Sequence, residues 1–268
     1  MWRNFFIVAL RNISKNKTFT LINVSGLAIG LASSILILLF IVKELSFDRF
    51  HDHGDRIHRL YIDGEIGGQA FRGAWTSMAM APAFTEEVSE IENFVRFDIY
   101  NQYLIWSDAE KFVEDHFLFA DPSIFEVFNI RMLRGDPFTA LQEPFSIVIT
   151  REKARQYFGD DDPLGLPLHV NRDSSLYIVT GVIEALPENS HFFADFIASM
   201  ETLDWRNSET WFQNSIFSYV LLKPGADPGM VQEKMDEVMA RHIRGELESI
   251  LGVGPEEWAA EGNLYGIY

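Results

Sequence analysis

TFTLINVSGLAIGLASSILILLFIV (residues 18–42) is a run of 25 positions without a single charge, bracketed by Lys17 and Lys43. At a helical rise of ~1.5 Å per residue such a run is about 37 Å long. A bilayer's hydrocarbon core is roughly 30 Å thick, so a helix of this length spans it with some tilt. Leu27, Ile29, Leu31, Ile35, Ile37, Leu38, Leu39 and Phe40 populate every face. A helix that is apolar all round lies either in lipid or deep inside a large protein, and the length decides for lipid. A cleaved signal peptide fits less well. The run exceeds an h-region of about 7–15 residues, and Val42-Lys43-Glu44-Leu45 is a poor junction for a signal peptidase.

Charge divides the chain at the same place. Arg3, Arg11, Lys15 and Lys17 precede the run with no acid among them. From Lys43 onward 18 basic residues stand against all 39 acidic ones, and the whole chain carries −17. Positive charge close to a span favours the cytoplasmic side. The amino end is therefore expected in the cytoplasm and the acidic part outside. Before the span, Trp2, Phe5, Phe6, Ala9, Leu10 and Ile13 share one helical face, and the basic residues lie largely elsewhere. That pattern suits a helix lying in the lipid interface, the plainer alternative being a first turn leading into the span. The expected division is an interfacial or cytoplasmic helix (1–17), a transmembrane helix (18–42) and a periplasmic core domain (43–268).

The last part has 226 residues and no cysteine. It must hold together by its core, which is feasible at this size. A cysteine-free domain is compatible with the periplasm. The chain's 23 Phe point to a compact fold rather than a disordered stalk. Strong acidity argues against binding nucleic acid.

The outer part mixes strands and short helices. RLYIDGEI (59–66) alternates as a strand does, and Gly67-Gly68 turns the chain. Phe84, Val88 and Ile91 recur at helical spacing after Pro82. Residues 93–106 alternate, with Val95, Phe97 and Ile99 on one face, and residues 111–120 form another strand. Asp121-Pro122 reads as an N-cap and first helical position. Residues 146–149 form a buried strand, Thr150 caps a helix and Gly159 stops it. YIVTGVI (177–183) has the strongest β-branched content. Residues 196–200 and 217–222 add strands. Asp227-Pro228 opens a last helix with Val231, Met235, Val238 and His242 inward. No βαβ rhythm or internal repeat appears, so the expected class is α+β: one N-terminal transmembrane helix followed by a mixed domain of one or two lobes.

Several segments taken together resemble the amino-terminal part of FtsX-like/MacB-like ABC transporter permeases. They are FIVALRNISKNKTFTLINVSGLAIGLASSILILLFI (6–41), ELSFDRFHDHGDRIHRLY (44–61) and FADPSIFEVFNIRMLRGDP (119–137). FSIVITREKARQYFGDDDPLG (145–165), YIVTGVIEALPENSHFFADF (177–196) and FSYVLLKPGADP (217–228) continue the series in the family's order. Glu184-Ala185-Leu186-Pro187 departs locally, where the family usually has an acidic residue just before its proline-containing turn. The resemblance implies further spans beyond this sequence, which is then incomplete at its C-terminus. It also implies a dimeric permease, a cytoplasmic ABC ATPase subunit as partner and an outer, periplasmic partner. The function it implies is coupling of ATP hydrolysis in the cytoplasm to periplasmic movement or export. The alternatives are a single-span sensor with a ligand-binding outer domain, or an anchored enzyme with converging ionisable groups.

The chemistry-bearing residues are weighed against plainer roles. No G-x-x-x-x-G-K-[ST] occurs, so ATP binding is expected on another chain or domain. Gly26, Gly30 and Ser34 form a small-residue stripe suited to packing against a partner span, although glycine is common in membrane helices anyway. His51, His53 and His58 with Asp52 and Asp55 lack fixed metal-ligand spacing and read as solvated polar residues near the membrane, with Arg56 pairing Asp52. Asp160, Asp161 and Asp162 lack the alternation of a calcium loop. Phe192, Phe193, Trp205, Trp211 and Phe212 read as core in preference to an exposed patch. No catalytic, cofactor or metal residue is assigned, and lipid is the one non-protein partner expected.

Overall fold

A computed structural model describes residues 2–107, 111–170, 175–250, 252 and 254–268. The chain divides into two compact units, the first ending at Asp48 and the second running from Arg49 to Tyr268. In the first unit, helix α1 (Trp2–Lys15) is followed by α2 (Lys17–Glu44). The side chains of Phe5, Phe6, Ala9 and Leu10, most of the expected apolar face of α1, lie outside the described residues. α2 buries none of its 28 residues within the protein. By length and composition it is long and apolar enough to cross a membrane.

The second unit begins with β1 (Ile57–Arg59), β2 (Ile62–Ile66), β3 (Gln69–Gly73) and α3 (Met80–Glu87). β4 (Ile91–Tyr100), β5 (Tyr103–Trp106), β6 (Lys111–Glu114), β7 (Phe117–Ala120), α4 (Ile124–Val127) and β8 (Met132–Arg134) follow. Then come β9 (Ser146–Thr150), α5 (Arg151–Phe158), β10 (Pro167–Val170), β11 (Ser175–Ile183), β12 (Phe196–Ser199) and β13 (Phe217–Leu222). α6 (Pro228–Ile250), α7 (Pro255–Ala260) and β14 (Leu264–Ile267) complete the unit.

One large sheet has the order β1-β13-β4-β7-β12-β9-β11-β10-β5-β6, with β8 alongside β11. The pairs β12–β7 and β11–β9 are parallel. The remaining pairs are antiparallel, so the sheet is mixed. A small sheet, β14-β2-β3, lies apart from it in hydrogen bonding. On β4, Val95 and Phe97 point into the core, where Phe97 lies within 5.1–6.2 Å of the rings of Phe128, Phe192, Phe217 and Tyr219. Clustered aromatics of this kind contribute both buried area and favourable edge and stacking contacts. A second core joins α3 and the inner face of α6 (Val231, Met235, Val238, Met239, Ile243) to Leu60 and Ile62.

Four expectations from sequence are corrected. Residues 59–66 are not one strand. β1 belongs to the large sheet, and the chain crosses at Leu60–Tyr61 to the small one. Leu60 N donates to Ser218 O at 2.9 Å, whereas Tyr61 exchanges two 2.8 Å bonds with Tyr268. The helix carrying Phe84 stops at Glu87. Val88 is already extended and Ile91 starts β4, so their burial has a different origin from helical periodicity. Asp121 does not cap α4 with its side chain, since Ser123 is the capping residue and makes no side-chain cap bond. The Asp121 carboxylate instead receives Arg96 N, Nε and Nη2 at 2.8, 2.9 and 2.8 Å. The Thr150 cap is present, with Lys153 N donating to Oγ1 at 3.4 Å, and Gly159 ends α5 at φ 61°. His242 is only half-buried, and Met239 and Ile243 are the inward residues of that turn.

The Arg96 and Asp121 side chains are 12% and 10% exposed. Removing one member of such a pair leaves an uncompensated charge in a poorly solvated place. Asp121→Asn is therefore expected to cost about 3–5 kcal/mol of stability, measured by urea denaturation, while joint replacement by Arg96→Met and Asp121→Leu recovers most of it.

Candidate functional site

Gly26, Gly30 and Ser34 recur every fourth residue, so they form a stripe along one face of α2. A Cβ built on Gly26 or Gly30 meets nothing within 4 Å. Ser34 Oγ donates to Gly30 O at 2.9 Å, and Ser33 and Ser25 likewise bond carbonyls of the preceding turn. The hydroxyls are thus satisfied inside the helix, and the stripe presents little beyond backbone. Such a surface allows close approach of another helix.

The histidines following α2 are not the solvated group expected from sequence. His51 is 7% exposed, and its Nδ1 lies 2.6 Å from Phe128 O. Asp52 accepts a hydrogen bond from Asn129 rather than pairing with Arg56. Arg56 donates to Glu92 Oε2 at 2.7 Å and to Leu222 O at 2.8 Å. His58 lies on β1 opposite Val220, and burial lowers its pKa. Among the described residues, no group of three or more His, Asp or Glu is placed to hold a metal ion. Asp162 forms an acidic turn, accepting from Arg134 Nη2 at 2.5 Å and from Leu164 N at 3.2 Å.

A cleft of about 880 Å³ opens between α3, the 206–211 loop and α6. Its apolar lining includes Met78, Pro82, Phe94 and Trp211. That volume falls in the range of small-molecule sites. Residue spacing gave no sign of it, because its walls come from three distant stretches of chain. Several of the polar groups that line it are tied to neighbours. Arg96 is held by Asp121 and donates Nη1 to Met78 O at 2.8 Å. Arg206 Nε donates to Glu201 at 2.7 Å. Glu246 accepts Trp211 N at 2.6 Å and the Thr210 hydroxyl, pinning the loop to α6. His242 stacks on Trp211 at 4.5 Å and lies 2.7 Å from Glu87. The hydrogen bond to His242 is the main reason the Glu87 carboxyl titrates below its usual range. The cleft therefore combines an apolar floor with a braced, charged rim.

The aromatic residues singled out in sequence do not converge on one patch. Phe192 belongs to the core around Phe97, and Trp211 to that under α6. Phe212 packs against the second of these and Trp205 against a third core around Phe117. Phe193 is 41% exposed.

The model of the MacB-like periplasmic core domain family matches residues 20–238. A permease-protein domain from Porphyromonas gingivalis is similar in structure, at 24% identity and a TM-score of 0.69, over 82% of this chain and 92% of that one. The periplasmic region of MacB from Actinobacillus actinomycetemcomitans is 14% identical, with a TM-score of 0.49 over 78% of this chain and 87% of that one. The extracellular domain of the ABC-type transporter YknZ from Gram-positive bacteria is 12% identical, with a TM-score of 0.46 over 78% and 99%. No curated protein matches the chain.

His58 yields a pH dependence. Its folded pKa lies below the ordinary value near 6.5, so below that value the unfolded chain binds more protons than the native one. Its contribution to stability is complete above about pH 6.5 and falls as the solution is acidified from there. Urea midpoints measured between pH 7.5 and 5 should decline, and His58→Gln should flatten the decline.

Proposed function

We propose, from the premise that this chain belongs to the MacB-like periplasmic core domain family of ABC transporter permeases, that it is the membrane-anchored amino-terminal part of a permease subunit. The observation that carries this reading is the extent of the family match. It runs from residue 20, inside the apolar helix, through the outer domain to residue 238. Residues 1–17 lie on the cytoplasmic side, 18–42 cross the bilayer, and 43–268 form the periplasmic domain. The basic stretch before α2 and the acidic remainder support that sidedness.

In this reading the chain performs no chemistry of its own. A separate ABC ATPase subunit hydrolyses ATP in the cytoplasm, and the permease transmits the resulting movement outward. Gly26, Gly30 and Ser34 pack α2 against another span, within a dimeric permease. The outer domain meets a periplasmic partner or cargo. A sensor with a ligand-binding outer domain is the second reading, and the cleft beside Trp211 is the feature that favours it.

The absence of cysteine makes topology directly testable. In intact cells a membrane-impermeant maleimide should label Glu188→Cys and leave Ser14→Cys unlabelled until the membrane is opened. The reverse pattern overturns the orientation. Gly30→Leu should reduce co-purification of the ATPase subunit several-fold while leaving the thermal unfolding of the outer domain unchanged. Full retention of the ATPase would remove Gly30 from that role.

A further inference from the structure

The large sheet ends at β6. Among the described residues β6 has a strand neighbour on its β5 side alone, where Leu104 lies opposite Val113 and Trp106 opposite Lys111. The backbone groups along the open side of an edge strand are a template for another chain. Side chains alternate along β6 as along any strand. Phe112 and Glu114 turn inward. The Phe112 ring lies 5.4 Å from that of Tyr157, and Glu114 Oε1 accepts from the Tyr157 hydroxyl at 2.9 Å and from Gln156 Nε2 at 3.0 Å. Lys111, Val113 and Asp115 alternate with them and are all exposed. Val113, the apolar one, is 67% exposed. Lys111 Nζ rests 4.5 Å from the centroid of the Trp106 ring. Asp115, just past the strand, is steadied by Gln102 N, which donates to its Oδ1 at 3.1 Å.

This order of residues is complementary to itself. Residues directly opposite in an antiparallel pair share a face of the sheet, where opposite charges stabilise and like charges destabilise. Let two copies of β6 pair about a two-fold axis at Val113. Val113 then meets the partner's Val113, and Lys111 meets the partner's Asp115, once on each side of the axis. The contact is isologous, as a two-fold dimer requires. The edge strands β1 (Ile57–Arg59) and β3 (Gln69–Gly73) lack this property, because each carries an arginine and no acid. A lysine on an edge strand ordinarily discourages pairing. In this register it finds a carboxylate instead.

We propose that the β6 edges of two copies of this chain pair antiparallel about Val113 and so continue the large sheet from one subunit into the other. The inference rests on the dimeric permease reading and places a contact between its outer domains. Five residues a side fall well short of the roughly 20–30 a side of a stable free interface. Two domains already joined in one dimer have an effective concentration on the order of millimolar, at which a small contact closes.

The chain has no cysteine, so Val113→Cys places one thiol in each copy. Opposite Cβ atoms in such a pair are roughly 4.5–5.5 Å apart, within reach of a short bismaleimide. The full chain would be purified in detergent, its particle mass measured by light scattering and its cross-linking rate followed. Phe138→Cys, 71% exposed and outside the sheet, is the control for random collision. In a dimeric particle Val113→Cys should cross-link many-fold faster than Phe138→Cys. Adding Lys111→Glu should slow the reaction several-fold, because two acids then face each other, and adding Asp115→Lys as well should restore it. A dimer in which both thiols react at one rate overturns the edge contact and leaves the dimer standing. Fast cross-linking that ignores the charge changes overturns the register and the inference with it. A monomeric particle removes the dimer and the edge contact together. Every substituted side chain is exposed, and unchanged circular dichroism would verify the fold.

Discussion

The Arg96–Asp121 pair ties three parts of the outer unit together. Arg96 is on β4, an inner strand of the large sheet between β13 and β7, and Asp121 stands at the corner between β7 and α4. The same guanidinium reaches Met78 O just before α3. One ionised side chain thus joins sheet, corner and helix, and forms part of the lining of the cleft. A planar guanidinium suits this role because its fork can serve a carboxylate and a carbonyl together. The geometry is expensive to leave half-built, since neither charge would be well solvated alone.

The cleft and a groove lined by residues between 122 and 138 are both built around that frame. The cleft lies where α3 and α6 approach above β4, and Glu246 and Glu87 hold its rim. The groove lies at the other end of the Asp121 corner, starting from Pro122 and passing along α4. Both are built on elements whose positions depend on β4. Among the described residues α2 supplies no buried contact of its own, and a Cβ on Gly26 or Gly30 would meet nothing within 4 Å.

The legibility of the sequence varied with the range of the interaction. The long apolar helix α2 was readable because it rests on a local feature, an unbroken apolar run of sufficient length. Local devices such as the Thr150 cap and the Gly159 stop were readable for the same reason. Asp121 was misread, since Asp before Pro is a good cap by local rules, while a partner 25 residues earlier outbid the helix for the carboxylate. The division of residues 59–66 between two sheets was hidden because the alternation of Leu60 and Ile62 is the same in either sheet. His51 was misplaced because a polar run beside a membrane looks solvated, and only the fold reveals Phe128 O beside its ring. The cleft could not be read at all, being assembled from residues 78–96, 206–211 and 242–249.

The large sheet has a temporal implication. Its edge strand β1 pairs with β13, aligning Ile57 with Leu221. β4, the strand that carries Arg96, also lies against β13. β1 therefore lacks its β13 neighbour until more than 150 further residues have been made and delivered, and β4 lacks it until more than 110 have. Closing so long a loop is slow relative to local helix formation. A nascent chain would pass through this interval with apolar strand edges open, which is the stage at which a holdase chaperone would have the most to protect.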